Sequence, residues 1–181
     1  LSADRVVDYL IVLGKRFPVI GSIEDPVMED DFEGFKRLTS EMPELMVIGD
    51  DIFATNQSRI TKGIEAGAAN AVLCKVNQSG TLTEAMQTAD YARSEGLSVV
   101  VSERSGETED SILADISVAL NAGLFKTGGM RGSDRGSKYN RFIEIEAELG
   151  DKARYAGRDF RQPVVSRQLS VAVREPQKNR P

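Results

Sequence analysis

Four charged side chains stand where short apolar runs give out: Glu24 after Ser22-Ile23, Asp50 after Ile48-Gly49, Lys75 after Leu73-Cys74 and Lys126 after Leu124-Phe125. Arg104-Ser105-Gly106 occupies the matching place after Val99 to Ser102. Carboxylates on successive strand ends supply hard oxygen ligands that can hold Mg²⁺ and leave positions open for water and substrate. An isolated acid would serve as well for a helix cap or an ion pair; two acids one repeat apart, followed by two lysines, favour a site. Lys75 closes the most apolar run, where partial desolvation and nearby cations both disfavour an ammonium, so it is the candidate general base. A rim lysine that only reaches out to water is the alternative. Arg104 and Ser105, with backbone amides at a helix start, form a candidate phosphate cradle. Thr127 to Gly132 is glycine-rich but matches no nucleotide-loop spacing, and reads as a turn.

Histidine is absent from the chain. Proton transfer therefore falls to Lys, Asp, Glu, Tyr or Cys, and any metal site to oxygen ligands, which favours Mg²⁺, Mn²⁺ or Ca²⁺ over Zn²⁺.

Positioning these groups requires a repeated scaffold. Five β-like runs follow one another, at Pro18 to Ile23, Leu45 to Ile48, Ala71 to Val76, Leu97 to Ser102 and Gly123 to Thr127. Helical patterns separate them. Thr81 to Gly96 is the clearest, with Leu82, Ala85, Met86, Ala89 and Ala92 on one face, a Thr81/Glu84 capping box and Gly96 as the stop. Ile112, Leu113, Ile116, Ala119 and Leu120 form a second stripe, and weaker patterns cover Asp31 to Ser40, Gln57 to Glu65 and Asp134 to Leu149. Strand and helix alternating in this way predict an α/β fold with a parallel sheet. The steps from Glu24 to Asp50, Lys75, Arg104 and Lys126 are 26, 25, 29 and 22 residues, one β/α unit each. A barrel gathers such strand ends at one mouth, whereas an open sheet spreads them along an edge, so a TIM-type (β/α)8 barrel is expected. Five units are too few to close one, so either the first three units lie upstream of Leu1 or the fold is something smaller.

Composition narrows the function classes. A net charge of −5 gives no reason to expect nucleic acid or an anionic membrane as partner. Cys74 is the single cysteine and sits in an apolar run, which excludes an intrachain disulfide and points to a reducing cytoplasm. No apolar stretch has the roughly 20 residues of a membrane helix. Residues 161–181 carry five basic side chains against Glu175 alone and read as a flexible basic tail.

Ser22-Ile23-Glu24-Asp25-Pro26, Gly49-Asp50-Asp51, Lys75-Val76-Asn77-Gln78, Arg104 to Asp110 and Lys126-Thr127-Gly128 resemble, in order and spacing, the signature segments of the enolase family. Tyr139-Asn140-Arg141, Glu146 to Gly150 and Ala156-Gly157 resemble its C-terminal helix and final turn. The likeness covers residues 1–160, taken as the C-terminal part of the barrel, strands four to eight. It implies a cytoplasmic Mg²⁺-dependent lyase of glycolysis and gluconeogenesis that interconverts 2-phosphoglycerate and phosphoenolpyruvate. Glu24 and Asp50 would be metal ligands that also face substrate. Lys75 would be the base at C2, Lys126 the partner of the substrate carboxylate, and Arg104 and Ser105 the holders of phosphate. It also implies a third metal carboxylate, a glutamate general acid and a capping domain upstream, so that these 181 residues alone are expected to lack dehydratase activity. Enolases assemble as dimers or larger rings through surfaces that include that upstream part. Glu103 departs from the pattern by standing where the family has histidine; an anion there repels phosphate unless it turns away or finds a cation. A related barrel enzyme acting on another carboxylate, and a non-catalytic binding protein, are the alternative readings.

Overall fold

Every apolar run that ends in a charged residue forms a strand. In the computed structural model, which describes residues 2–157 and 160, β1 (Ser22–Glu24), β2 (Met46–Gly49), β3 (Ala71–Cys74), β4 (Ser98–Ser102) and β5 (Leu124–Lys126) pair in chain order, all parallel. Parallel neighbours need a crossover, and helices supply it. α1 (Ala3–Arg16) leads into β1; α2 (Phe32–Glu41), α3 (Gln57–Ala66), α5 (Leu82–Ser94) and α6 (Ile112–Ala119) connect the strands; α7 (Ser133–Leu149) follows β5. A one-turn helix, α4 (Val76–Ser79), intervenes between β3 and α5. The basic segment 161–181 lies outside the described residues.

Local chemistry sets the helix ends. Asp31 Oδ1 accepts from Gly34 N at 2.9 Å to open α2, and Asn56 Oδ1 accepts from Ser58 N and Arg59 N at 3.0 and 3.2 Å to open α3. Thr81 accepts from Glu84 N at 3.2 Å, the first half of the expected capping box, while Glu84 Oε2 takes the Thr81 hydroxyl at 2.8 Å in place of the backbone N–H. Past the end of α5, Gly96 at φ +86° lets Leu97 N reach back to Ala92 O at 3.0 Å.

The first run is the poorest match to expectation. Pro18 and Val19 lie in a turn closed by Ile20 N to Phe17 O at 3.0 Å, and β1 starts only at Ser22. Proline offers no ladder donor, and Val19 points to solvent, so apolar content there does not mark a strand.

Side chains alternate across the sheet and separate two cores. Val47, Val72, Cys74, Val99 and Val101 point outward to the helices, against Phe35, Leu38, Ile60, Ala89 and Leu113. Met46, Ile48, Ala71, Leu73 and Val100 point the other way, joined by Leu124 and Phe160. Glu24 shares the inner parity through the pairs Ser22↔Met46 and Glu24↔Ile48, and Lys126 does so two residues after Leu124. The edge strands of a flat five-stranded parallel sheet would lie about 19 Å apart, four spacings of about 4.8 Å. A glutamate and a lysine side chain together cannot bridge that gap, yet Glu24 on β1 and Lys126 on β5 form an ion pair. The sheet is therefore rolled into a partial barrel whose inner face carries both residues.

Candidate active site

The inner face opens at the C-terminal ends of the strands, where two ion pairs stand over the inner core. Lys126 Nζ donates to Glu24 Oε1 from the opposite edge of the sheet, and Lys75 Nζ donates to Asp50 Oδ2 from the neighbouring strand. The second pair is the more enclosed, with Asp50 and Lys75 only 6% and 8% exposed. Gln78 Nε2 adds a longer contact to Asp50 Oδ1 at 3.4 Å. The expected cationic surroundings of Lys75 are thus replaced by a carboxylate.

Backbone and hydroxyl groups hold this arrangement from behind. Thr55, at φ +48°, accepts from Lys75 N at 3.0 Å and lies 2.6 Å from Gln78 Oε1, which fixes the start of α4 against the turn after β2. Lys75 itself is the residue before α4, one step beyond the end of β3.

Asp25 is the residue that spacing alone did not single out. Because side chains alternate, it leaves the inner face just after Glu24, and at φ +40° its carboxylate turns toward the next strand. Its Oδ1 accepts from Asp50 N and its Oδ2 from Asp51 N, both at 2.9 Å. Burial raises the Asp25 carboxyl above the ordinary carboxylate range and outweighs the opposing pull of those two amides. The carboxylate oxygens of Asp25, Asp50 and Asp51 lie within 4.8 Å of one another. Asp25 serves as a clip between two strand ends, since both its oxygens are already committed. Asp25→Ala strands two amides and is expected to cost about 1–3 kcal/mol, read as a lower urea midpoint together with faster exchange of the Asp50 and Asp51 amides.

Arg104 and Ser105 sit in the loop after β4, exposed, and among the described residues their side chains take no hydrogen bond or ion pair. Arg104 N donates to Glu107 Oε1 at 3.1 Å, which folds the loop on itself. The helix-start amides expected beside them are elsewhere: α6 begins only at Ile112, whose N–H is taken by Asp110 Oδ1 at 2.8 Å. Any phosphate held here would rest on the guanidinium, the hydroxyl and loop amides. Cys74 faces the outer core, where burial pushes its thiol up to about 11, so it contributes no nucleophile.

Two acids and two lysines converging on one mouth of a partial barrel agree with the family resemblance, and the match of whole-chain patterns decides it. Residues 1–164 match the family described as "Enolase, C-terminal TIM barrel domain". The chain belongs to the enolase family. It is 50% identical over 163 residues to the enolase of Methanococcus maripaludis strain C7, and 52% identical over 163 residues to that of Methanocaldococcus jannaschii. The enolase of Methanococcoides burtonii is 51% identical over 155 residues. The first two alignments take in 90% of this chain but 38% of each relative, so the chain spans about two-fifths of the length of the enolases it matches. The barrel expected from the strand spacing is thereby the enolase barrel, and the five units seen belong to its C-terminal part.

Proposed function

We propose that this enolase chain carries the proton-abstracting and substrate-holding side of the site that interconverts 2-phosphoglycerate and phosphoenolpyruvate, a step of glycolysis and gluconeogenesis. What carries the reading is the pair of ion pairs: two lysines and two carboxylates, from four strand ends, face one another over the inner face. Lys75, enclosed and pointing into the mouth, is the base for the C2 proton. Lys126, at the opposite wall, binds the substrate carboxylate, and Arg104 and Ser105 take the phosphate. Glu24 and Asp50 offer hard oxygen donors that suit Mg²⁺, whose charge, when bound, offsets the second negative charge that builds up as a C–H beside a carboxylate loses its proton. With those carboxylates so engaged, the two lysines are free to face substrate. The third ligand, the general acid and the surfaces for homo-oligomer contact belong to the remaining part of an enolase, and cytoplasmic location follows from the pathway. Among the described residues no helix is long and apolar enough to cross a membrane.

Mg²⁺ binding to an enolase built on this chain, with the third ligand in place, is the direct test. At a hundredfold excess over its Kd, Mg²⁺ is expected to add about 2.7 kcal/mol of stability, visible as a rise in Tm. Glu24→Gln with Asp50→Asn should remove the rise. A Tm indifferent to Mg²⁺ and to phosphoenolpyruvate would overturn the proposed site and support a non-catalytic binding protein instead.

A further inference from the structure

Glu103 enters the mouth of the barrel as an anion next to the loop assigned to phosphate, but its surroundings give it a different task. Its side chain is 7% exposed, and both carboxylate oxygens are occupied. Oε1 accepts from Arg135 Nε at 3.1 Å, and Oε2 accepts from the Thr127 hydroxyl at 2.6 Å. Its backbone N–H donates to Lys126 O at 3.0 Å, continuing the β4–β5 ladder beyond the Ser102↔Lys126 pair. Arg135 neutralises the charge that would repel a phosphate, so the repulsion expected from sequence is met by a cation on α7.

The partners of Glu103 all converge on the residues after Lys126. Thr127 is 2% exposed, and its hydroxyl is the one tied to Glu103. Gly128, at φ +68°, lies so close to Arg135 that a Cβ there would meet Nε at 2.7 Å, and its carbonyl accepts from Tyr139 Oη at 2.6 Å. The bend at 127–128 is thus gripped from β4 and from α7, and Lys126 projects into the mouth from the end of β5, directly before it.

We propose that Glu103 is a positioning residue for Lys126: through Thr127 and Arg135 it locks the β5 loop to the β4 end, so that the lysine is set at a fixed distance from Arg104 and Ser105. This rests on the reading of Lys126 as the partner of the substrate carboxylate, and two measurements on an enolase built on this chain separate the two ideas. The first is amide hydrogen exchange in Glu103→Leu and Glu103→Gln. Exchange at the residue 103 amide, which donates to Lys126 O at the end of the β4–β5 ladder, should rise roughly tenfold in the leucine variant and less in the glutamine variant, which keeps an acceptor for Thr127, while β3 amides stay unchanged. No local rise, or an equal rise across β3, overturns the positioning role. The second is titration with phosphoenolpyruvate and, separately, inorganic phosphate in the presence of Mg²⁺. The leucine variant should bind phosphoenolpyruvate roughly tenfold more weakly with phosphate affinity unchanged, and Glu103→Gln should restore most of the loss. Tighter phosphate binding in both variants would show Glu103 acting as a repelling charge and overturn the proposal. A wild-type enolase built on this chain that binds neither ligand overturns the enolase-site reading alone, and the exchange result then decides the role of Glu103.

Discussion

Replacing Lys75 with methionine in an enolase built on this chain lowers kcat by about 10²–10⁴-fold with little change in KM, the range by which a positioned general base accelerates proton transfer. Methionine keeps the length and the apolar stem of lysine but cannot accept a proton. Lys75→Arg should not rescue, because a guanidinium holds its proton and its planar head cannot replace an ammonium at the same point. The same substitution has a second readout that needs no turnover. Lys75 and Asp50 form an enclosed ion pair, with side chains 10% and 9% exposed. Removing one partner of such a pair leaves the other without compensation, at a cost of about 3–5 kcal/mol. The metal-free variant should therefore melt earlier than wild type, and Mg²⁺ should recover more stability in the variant than in wild type, because the metal then replaces the cation that Asp50 has lost. A coupled-enzyme or phosphoenolpyruvate absorbance assay gives the first number and a melt with and without Mg²⁺ the second. Unchanged kcat would remove Lys75 from the chemistry.

The four strand-end charges were legible because their side-chain parity and spacing are both sequence properties. Each lies an even number of residues from an inward-pointing strand residue, and successive members are separated by one β/α unit, or by two between Lys75 and Lys126, where Arg104 marks the strand between. What spacing could not express is pairing across the mouth. That Lys126 meets Glu24, and not a nearer acid, follows from the curvature of the sheet, a sum of twists that no single segment encodes. Pro18 and Val19 are apolar yet lie outside β1, because proline offers no ladder donor and Val19 faces solvent. The residues after Arg104 do not open α6 directly, because Thr108 and Asp110 extend the loop and Asp110 caps the helix at Ile112. Asp25 was hidden beside the more obvious Glu24, although two adjacent acids at a strand end must point to opposite sides, so one of them was always destined for the neighbouring strand. Lys138 left a clearer trace. It stands seven residues before the buried Ile145, on the core side of α7, where a lysine needs a reason.

That reason supplies the second large effect: Lys138→Met should destabilise the chain by about 1–3 kcal/mol, the range for leaving hydrogen-bond acceptors without their donor. For a chain of this size such a loss lowers Tm by about 2–4 °C per kcal/mol. The Lys138 side chain is fully buried, and its ammonium donates to Thr108 O at 2.5 Å and Asp134 O at 2.8 Å, with Glu107 Oε2 at 3.5 Å. Methionine would fill the channel of the stem, so packing is nearly preserved and the loss isolates the polar head. Glu107 and Thr108 belong to the loop after β4, and the other oxygen of Glu107 holds Arg104 N. A single buried ammonium on α7 therefore anchors the loop that presents Arg104 and Ser105. Changing Glu107 to methionine as well removes the second charge, so the double variant should recover part of the loss, whereas two independent contributions would simply add. A Lys138→Met melt superimposable on wild type would mean that the stem alone carries the stability and that the loop is held by its own turns.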